Sequence, residues 1–378
     1  MGGNARTRSF GTTGGSATSP WMNEALRLAR KGRGTTSPNP MVGAVVVRSG
    51  RIVGRGYHRR AGGPHAEVFA LEEAGPRARG ADLYVTLEPC CHQGRTGPCT
   101  ERIRAAGIAR VQAAILDPAP QVNGRGVRIL RRAGIPVAVG DGAAEASRLN
   151  EAYLLRVALR RPWVDLKMAA TLDGKTADAR GRSRWITGEE ARLRVHELRW
   201  GTDAVLVGAG TVRADDPLLT ARLGKRTREP LRVVLDGDLR LRVGARVLAA
   251  GDPSRVRIFA ARGAPAAKRR ALETRGAVVR TLPALASGRV SLLRVLRALA
   301  AEGVNRVLVE GGSTVAGGFL REGLVDRLHL FLAPKAIGRG KGLFESLGSI
   351  PLERALRFSI EETRRAGEDL EIRLVRSE

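Results

Sequence analysis

Two short stretches decide what this chain can fold into. Residues 64–75 read PHAEVFALEEAG, and residues 87–99 read LEPCCHQGRTGPC. The second holds all three cysteines of the 378-residue chain, within ten residues of one another. An odd number of cysteines packed so closely is no disulfide framework. It points to a reducing compartment, the cytoplasm, and to a metal. The fold therefore has to bring a helix start at His65 and a cysteine loop at 90–99 to one point.

Zinc in a catalytic site takes three protein ligands and keeps a fourth position for water, whereas structural zinc fills all four. His65, Cys90 and Cys99 supply three, and Glu67 lies close enough in sequence to reach a water at the open position. Such a water loses its proton near neutral pH, and a carboxylate beside it carries that proton from nucleophile to leaving group. Residues i and i+2 of a regular helix do not face each other. Pro64, however, favours the first helical position, which places His65 in the first turn, where its ring can bend toward the metal while Glu67 approaches from another side. Histidine-x-glutamate followed by proline-cysteine is the signature of zinc deaminases acting on amino-pyrimidines and purines. The competing reading is a structural zinc knuckle made by the three cysteines with His92 as fourth ligand, in a non-enzymatic binding module, which leaves Glu67 without a task. Cys91, next to Cys90, can compete with it for the metal.

The first half alternates β-rich runs with helical patterns. A helix spans about 21–31, and MVGAVVV and RIVGRGY form a hairpin about Ser49-Gly50. A helix then starts at His65, followed by a strand at DLYVTLEP, a helix after Cys99, a strand at VQAAILD, a helix at GVRILRRAG and a strand at IPVAV. This alternation predicts a layered α/β domain on a mostly parallel sheet over residues 20–150. One connecting helix, ASRLNEAYLLRVALRR, runs into Pro162, so that 151–162 is a linker. Residues 163–378 form a second α/β domain with strands at WVDLKMA, DAVLVGA, LRVVLD, VRIFAA, RVLVEGG and LHLFLAP, helices at GEEARLRVHELRW and SLLRVLRALAAEG, and a closing antiparallel pair. Residues 1–19 lack the apolar segment of a secretory signal and read as a disordered tail. No apolar run is long enough to cross a bilayer.

A net charge of +28 raises the question of nucleic acid. Seven of the 65 basic residues are lysine and the others, all arginine, are scattered from end to end with no basic tail or aromatic-interleaved strip. That pattern favours anionic small molecules over nucleic acid. A nucleic-acid deaminase with a basic accessory domain is the alternative that the charge keeps open. In the second half, RVLVEGGSTVAGGFL at 306–320 is a strand, a double glycine, a Ser-Thr pair and a helix. Backbone NH groups at such a helix start can cradle phosphate, with Gly311 and Gly312 allowing close approach and Ser313 or Thr314 donating hydrogen bonds. The GAG at 208–210 does not fit a dinucleotide-binding turn, because Arg213 stands at the third glycine position.

These motifs resemble a known family in the same order. Eight residues separate Cys90 from Cys99 where the general deaminase signature has two. That loop, with PNPMVGAVVV, GRGYH, GGPHAE and TLEPC, resembles the deaminase half of the bifunctional riboflavin-biosynthesis deaminase-reductases. Cys91 stands where the family has serine, and Gly97 where it has proline. DLKMAATLDGKTA, SRWITG, VGAGTVRADDPLLTAR and VEGGSTVAGG resemble the family's reductase domain, which is similar in fold to dihydrofolate reductase. The resemblance implies a cytidine-deaminase-like three-layer domain followed by a dihydrofolate-reductase-like α/β domain. It implies Zn2+ and NADPH as cofactors, a phosphorylated pyrimidine as substrate, and often dimers or tetramers. Asn39, His92 and Arg95 look like substrate contacts in the first domain. In the second, Ala169, Trp185, Thr211, Asp215 and the run Gly312, Ser313, Thr314, Val315, Ala316, Gly317 and Gly318 look like cofactor contacts. Ser183, Arg199, Leu219, Arg222 and Glu310 look like substrate contacts, and Lys167 and Asp215 like the polar pair beside the sugar that is reduced. Arg199 and Arg222 have the planar donors that grip phosphate in pairs.

Overall fold

The structure is a computed structural model and describes residues 17–93, 97–224, 226–286 and 288–377. It divides into two compact units, one ending at Leu154 and one starting at Leu155. Most of the tail expected over 1–19 lies outside the described residues. Its last residue, Ser19, is fixed. The Ser19 hydroxyl accepts from Met22 N at 3.2 Å and donates to Asp141 at 2.5 Å, capping a helix that opens on Pro20.

The first unit is a five-stranded sheet between two layers of helices. In chain order its elements are α1 (Pro20–Ala29), β1 (Gly43–Arg48), β2 (Arg51–Tyr57), α2 (Ala66–Ala74), β3 (Asp82–Val85), α3 (Cys99–Ala105), β4 (Arg110–Ala113), α4 (Arg125–Arg132), β5 (Val137–Val139) and α5 (Ala143–Leu149). Alternate residues of β1 face opposite layers: Val45 and Val47 pack with Met22, Leu26 and Ala146, while Val46 packs with Leu83, Ile103 and Leu130. The strand order is β2-β1-β3-β4-β5. The sheet is mixed rather than mostly parallel. β1 pairs antiparallel with both β2 and β3, and only β3–β4 and β4–β5 are parallel. A two-residue turn can join only antiparallel strands, and that hairpin supplies two of the five.

The single connecting helix expected before Pro162 is two helices, α5 and α6 (Glu151–Leu159). Buried Asn150 breaks them apart. Its side chain accepts from Met41 N at 2.8 Å and donates to Met41 O at 2.9 Å, a backbone mimic that holds this residue out of the helix.

Two close approaches position the cysteine loop and α2. A side chain at Gly56 would put its Cβ 2.1 Å from Ala66 O, so α2 rests directly on β2. Buried Glu88, just before Pro89 and Cys90, accepts from Asp117 N (3.2 Å), Gly124 N (2.8 Å) and Val127 N (3.1 Å), which ties the loop to the start of α4.

The second unit is built on a nine-stranded sheet. Its strands are β6 (Trp163–Thr171), β7 (Ala204–Gly208), β8 (Leu231–Leu235), β9 (Val256–Ala261), β10 (Val278–Leu282), β11 (Arg306–Val309), β12 (Arg327–Ala333), β13 (Phe358–Ala366) and β14 (Asp369–Arg376). The order is β10-β9-β8-β7-β11-β6-β12-β14-β13, parallel from β10 to β12, with β14 and β13 added antiparallel. Apolar residues of Leu292–Ala301 and Ser313–Arg321 cover one face, and Val212, Leu248 and Leu272 cover the other. At the starting edge of these strands lies a buried ion network. Asp165 meets Arg306 at 2.6 Å and His329 at 3.6 Å, His329 meets Glu371 at 2.9 Å, and Glu371 meets Arg194 at 2.8 Å.

Burial opposes charge throughout this network, and the mutual contacts outweigh it. Arg306, His329 and Arg327 hold Asp165 below the ordinary carboxylate range. His329 and Arg194 hold Glu371 down to about 2. Hydrogen bonds to Asp165 and Glu371 raise His329 above its ordinary 6.5. The raised histidine stabilises the fold in full below 6.5 and loses that contribution as pH rises through its folded value. The depressed carboxylates stabilise it above their unfolded values and lose that as pH falls through their folded ones.

Two outcomes follow. In urea unfolding of the second unit, the loss of stability between about pH 6 and pH 9 should be smaller in His329→Gln than in the parent by on the order of 1 kcal/mol. In the first unit, Glu88→Gln turns an amide NH2 against backbone N–H groups and should cost about 1–3 kcal/mol. Thermal unfolding together with metal content after dialysis checks this, the expected sign being a lower midpoint and less retained zinc.

Candidate active sites

The first site forms where two helices begin. His65 is not in the first turn of α2, as Pro64 led one to expect, but is the residue before it, with extended backbone (φ −76°, ψ 167°). Glu67 is the second residue of the helix. The extended conformation turns the imidazole away from the helical screw, which is how residues two apart reach one centre. Cys99 opens α3, and Cys90 follows β3 on the loop held by Glu88.

The candidate ligand atoms of His65, Cys90 and Cys99 all lie within 4.8 Å of one another. His65 Nδ1 is 3.4 Å from Cys90 Sγ and 3.3 Å from Cys99 Sγ. Zinc bonded tetrahedrally to nitrogen at about 2.0 Å and sulfur at about 2.3 Å keeps such atoms about 3.5 Å apart, so the donor set fits that ion. Cys99 N donates to Cys90 Sγ at 3.4 Å, support for a thiolate at a helix start. A hydrogen bond from the Cys99 thiol, with His65 adding to it, holds Cys90 down to about 4. The same bond and burial push Cys99 up, and the bond to Cys90 lifts His65 to about 9. Glu67 is 3 % exposed, and burial pushes its carboxyl above the ordinary range.

Cys91 stands apart from this group, its thiol directed to Gln121 O at 3.5 Å. His92 is exposed and outside the cluster, and Arg95 lies outside the described residues. Asn39 is half-buried, its Nδ2 3.0 Å from Nε2 of His58. Neither His58 nor Glu88 carries a role in the sequence motifs that contain them, GRGYH and TLEPC. The signals were present: His58 is one of five histidines, seven residues before His65, and Glu88 adjoins Pro-Cys.

The second site lies at the carboxyl ends of β6, β7 and β11, the place where open α/β sheets take ligands. Lys167, from β6, faces the ion pair of Arg199 and Glu310. Burial lowers its ammonium below the ordinary lysine value, against the pull of Glu310. The guanidinium of Arg199 is already occupied. It donates to both Glu310 oxygens at 2.6 and 2.8 Å and to Thr220 O at 3.1 Å. Paired gripping of phosphate by Arg199, expected from sequence, is therefore not available in this arrangement. Arg222 is exposed, donates to Thr220 Oγ1 at 2.8 Å, and has no carboxylate partner among the described residues. His196, overlooked in the sequence, sits with them and accepts from Arg222 N at 3.2 Å. Leu219, buried, takes a left-handed backbone (φ 57°) in the segment leading to Thr220.

The glycine turn at 311–312 differs from its sequence reading. A Cβ on Gly311 would stand 2.6 Å from Val315 Cβ, so the space spared there is filled by Val315. Gly312 N donates to Thr211 Oγ1 at 3.1 Å, and buried Ser313 accepts from Ser346 Oγ at 3.2 Å. Thr314 is the hydroxyl left exposed at the helix start. Ala316 is buried, and Gly317 lets the helix touch Ser346 O, where a Cβ would come within 2.7 Å. Gly318 packs under Leu292, and Ala169 is half-buried on β6. Ser183 is exposed, and Trp185, 64 % exposed, lies under Arg192 at 4.5 Å. Lys335 donates to Trp185 O and Ile186 O at 3.3 and 3.0 Å and pins that segment. Asp215 pairs with Arg184 at 3.5 Å.

Comparison with known proteins identifies both domains. Residues 16–115 match the cytidine and deoxycytidylate deaminase zinc-binding region, and residues 162–372 match the RibD C-terminal domain. The riboflavin biosynthesis protein RibD of Aquifex aeolicus is 44% identical over 352 residues, covering 93% of this chain and 96% of that protein. RibD of Escherichia coli K12 is 43% identical over 369 residues, 94% of this chain and 98% of that one. The solved structure of Acinetobacter baumannii RibD superposes with a TM-score of 0.87 at 38% identity, covering 95% of this chain and 98% of that one. A Thermotoga maritima structure described as a diaminohydroxyphosphoribosylaminopyrimidine deaminase and 5-amino-6-(5-phosphoribosylamino)uracil reductase superposes at 0.82 with 39% identity, covering 94% and 98%. With a zinc-dependent deaminase domain ahead of an NADPH-dependent reductase domain, the chain belongs to the RibD family of bifunctional riboflavin-biosynthesis enzymes.

Proposed function

We propose that the first unit removes an exocyclic amino group from 2,5-diamino-6-(5-phosphoribosylamino)pyrimidin-4-one as ammonia. The second then reduces the ribosyl group of that product to a ribityl chain. One observation carries the reading: three metal-ligand side chains and a buried carboxylate converge on one point in the first unit.

His65, Cys90 and Cys99 would hold the zinc. When bound, zinc supplies an activated water as nucleophile. Glu67 takes the proton from that nucleophile and returns it to the departing amine, a role that a carboxyl raised by burial suits at neutral pH. Asn39 meets the pyrimidine, and His92 and Arg95 meet the ribose phosphate. The backbone NH of Cys99 steadies the Cys90 thiolate.

In the second unit NADPH supplies the hydride. Ala169, Trp185, Thr211, Asp215 and 312–318 hold it, with the exposed Thr314 available to a phosphate. Lys167 steadies the ring-opened sugar or passes it a proton, with Asp215 as its polar partner. Arg222, Ser183 and Leu219 receive the substrate, and the Arg199–Glu310 pair orders the wall that Lys167 faces. The scattered positive charge suits two phosphorylated ligands rather than nucleic acid. The domains run over 20–150 and 163–378, joined by 151–162. The enzyme works in the cytoplasm, as a homo-oligomer. No helix among the described residues is long and apolar enough to cross a membrane.

Incubating the zinc-loaded protein with the diaminopyrimidine, with and without NADPH, and following ammonia and NADPH loss separately tests the reading. Ammonia release without NADPH and NADPH loss only after deamination are expected. Glu67→Gln should retain zinc and lose ammonia release by about 10²-fold or more, while still oxidising NADPH when given the deaminated compound. Full ammonia release by Glu67→Gln would overturn the deaminase mechanism.

A further inference from the structure

We infer that His58 is a positioning residue that fixes the amide of Asn39, so that the deaminase pocket offers a hydrogen-bond acceptor, Asn39 Oδ1, to an N–H group of the pyrimidine. This deepens the reading above and rests on Asn39 as a pyrimidine contact.

His58 directly follows β2 and is 2 % exposed. Its Nδ1 lies 3.0 Å from Pro64 O. A carbonyl oxygen can only accept, so Nδ1 carries the hydrogen. The ring is buried, and neither of its nitrogens meets a carboxylate among the described residues, so it is neutral and Nε2 keeps a bare lone pair. Asn39 lies 3.0 Å from that lone pair and must present its NH2 to it. The tautomer, set by Pro64 O, thereby settles the orientation of an amide that could otherwise turn over. Among the described residues Asn39 Oδ1 accepts no hydrogen bond, so it is the acceptor left for a ligand.

The same ring links two parts of the site. Pro64 precedes His65, and the His58 and His65 rings meet edge to face with centroids 5.5 Å apart. His58 N also donates to Val42 O at 2.9 Å, which holds its backbone while the ring joins the Asn39 turn to the His65 turn. A pyrimidine with a ring N–H or an amino group at this position is accepted. One with only a lone pair there meets Oδ1 unfavourably, which makes the amide orientation a specificity filter.

The test uses the zinc-loaded full chain and the diaminopyrimidine of the proposed reaction. The amide of His58→Asn can still donate to Pro64 O but does not reach Asn39. His58→Gln can still accept from Asn39 but gives up the Pro64 bond. For His58→Asn, KM should rise about tenfold, or about 1.4 kcal/mol, with kcat within about twofold. Zinc content, and NADPH oxidation when the deaminated compound is supplied, should be unchanged, and His58→Gln should restore KM to near the parent value. If Asn39→Ala raises KM and His58→Asn does not, the inference is overturned and the reading of Asn39 stands. If Asn39→Ala leaves KM unchanged, the reading of Asn39 falls and the inference with it. Loss of zinc in both His58 variants would show a merely structural role and overturn the inference. ¹⁵N spectra of the parent protein check the tautomer directly without any variant: a hydrogen on Nδ1 is expected, and one on Nε2 would overturn it.

Discussion

The contact between α2 and β2 sets the geometry of the deaminase half. Gly56 has no side chain where Ala66 O comes down on the strand, and Gly54 is equally tight against Ala70 O. This brings the start of α2 close to the sheet, and the extended backbone of His65 turns its ring across the strand ends toward the cysteine loop. Glu88 brings that loop in from the other side by binding backbone N–H groups near α4. The ligands are thus held by backbone contacts distant in sequence rather than by the metal alone. Helix starts at both ends of the arrangement favour negative charge on the thiolates and on Glu67.

The reductase half separates its two tasks along the strands. The starting edge of the parallel sheet carries Asp165, Arg306, Arg327 and His329, whose buried contacts join β6, β11 and β12, with Glu371 adding β14 and Arg194 adding the helix Glu189–Trp200. A network of this kind is costly to break because each partner removed leaves a buried charge behind. The finishing edge carries Lys167, Glu310, Arg199, Arg222, Thr211 and the 311–318 turn. One strand, β6, serves both edges: Asp165 faces the network and Lys167 faces the site, two residues apart on the same side of a pleated strand.

Much of this was legible in the sequence because rare residue types at short spacing leave few arrangements. Three cysteines in ten residues with a His-x-Glu upstream predict a metal site, and His65, Cys90 and Cys99 do lie together. Apolar runs alternating with helical patterns predict the central strands of both units, since β1, β7 and β11 are buried on both faces and read as nearly continuous Val/Leu/Ala segments. What was not legible depends on partners far away in the chain. Nothing near Arg199 says that Glu310, 111 positions on, fills its guanidinium. Nothing near Gly311 says that Val315 takes its space, or that Ser346 turns Ser313 inward. Asn150 looks like an ordinary helix interior position until Met41 is seen to bind it, and the position of His65 before α2 follows from packing that overrides the preference of Pro64 for a first helical turn.

The central claim is that the metal of the first unit is held by three side chains and keeps one position for water. X-ray absorption at the zinc edge on the loaded, resting protein measures this directly. The account predicts two sulfurs at about 2.3 Å and two lighter atoms at about 2.0–2.1 Å, one of them an imidazole nitrogen and the other an exchangeable oxygen. A shell of three sulfurs, or of two sulfurs and two imidazoles, would mean a closed structural site and contradict it.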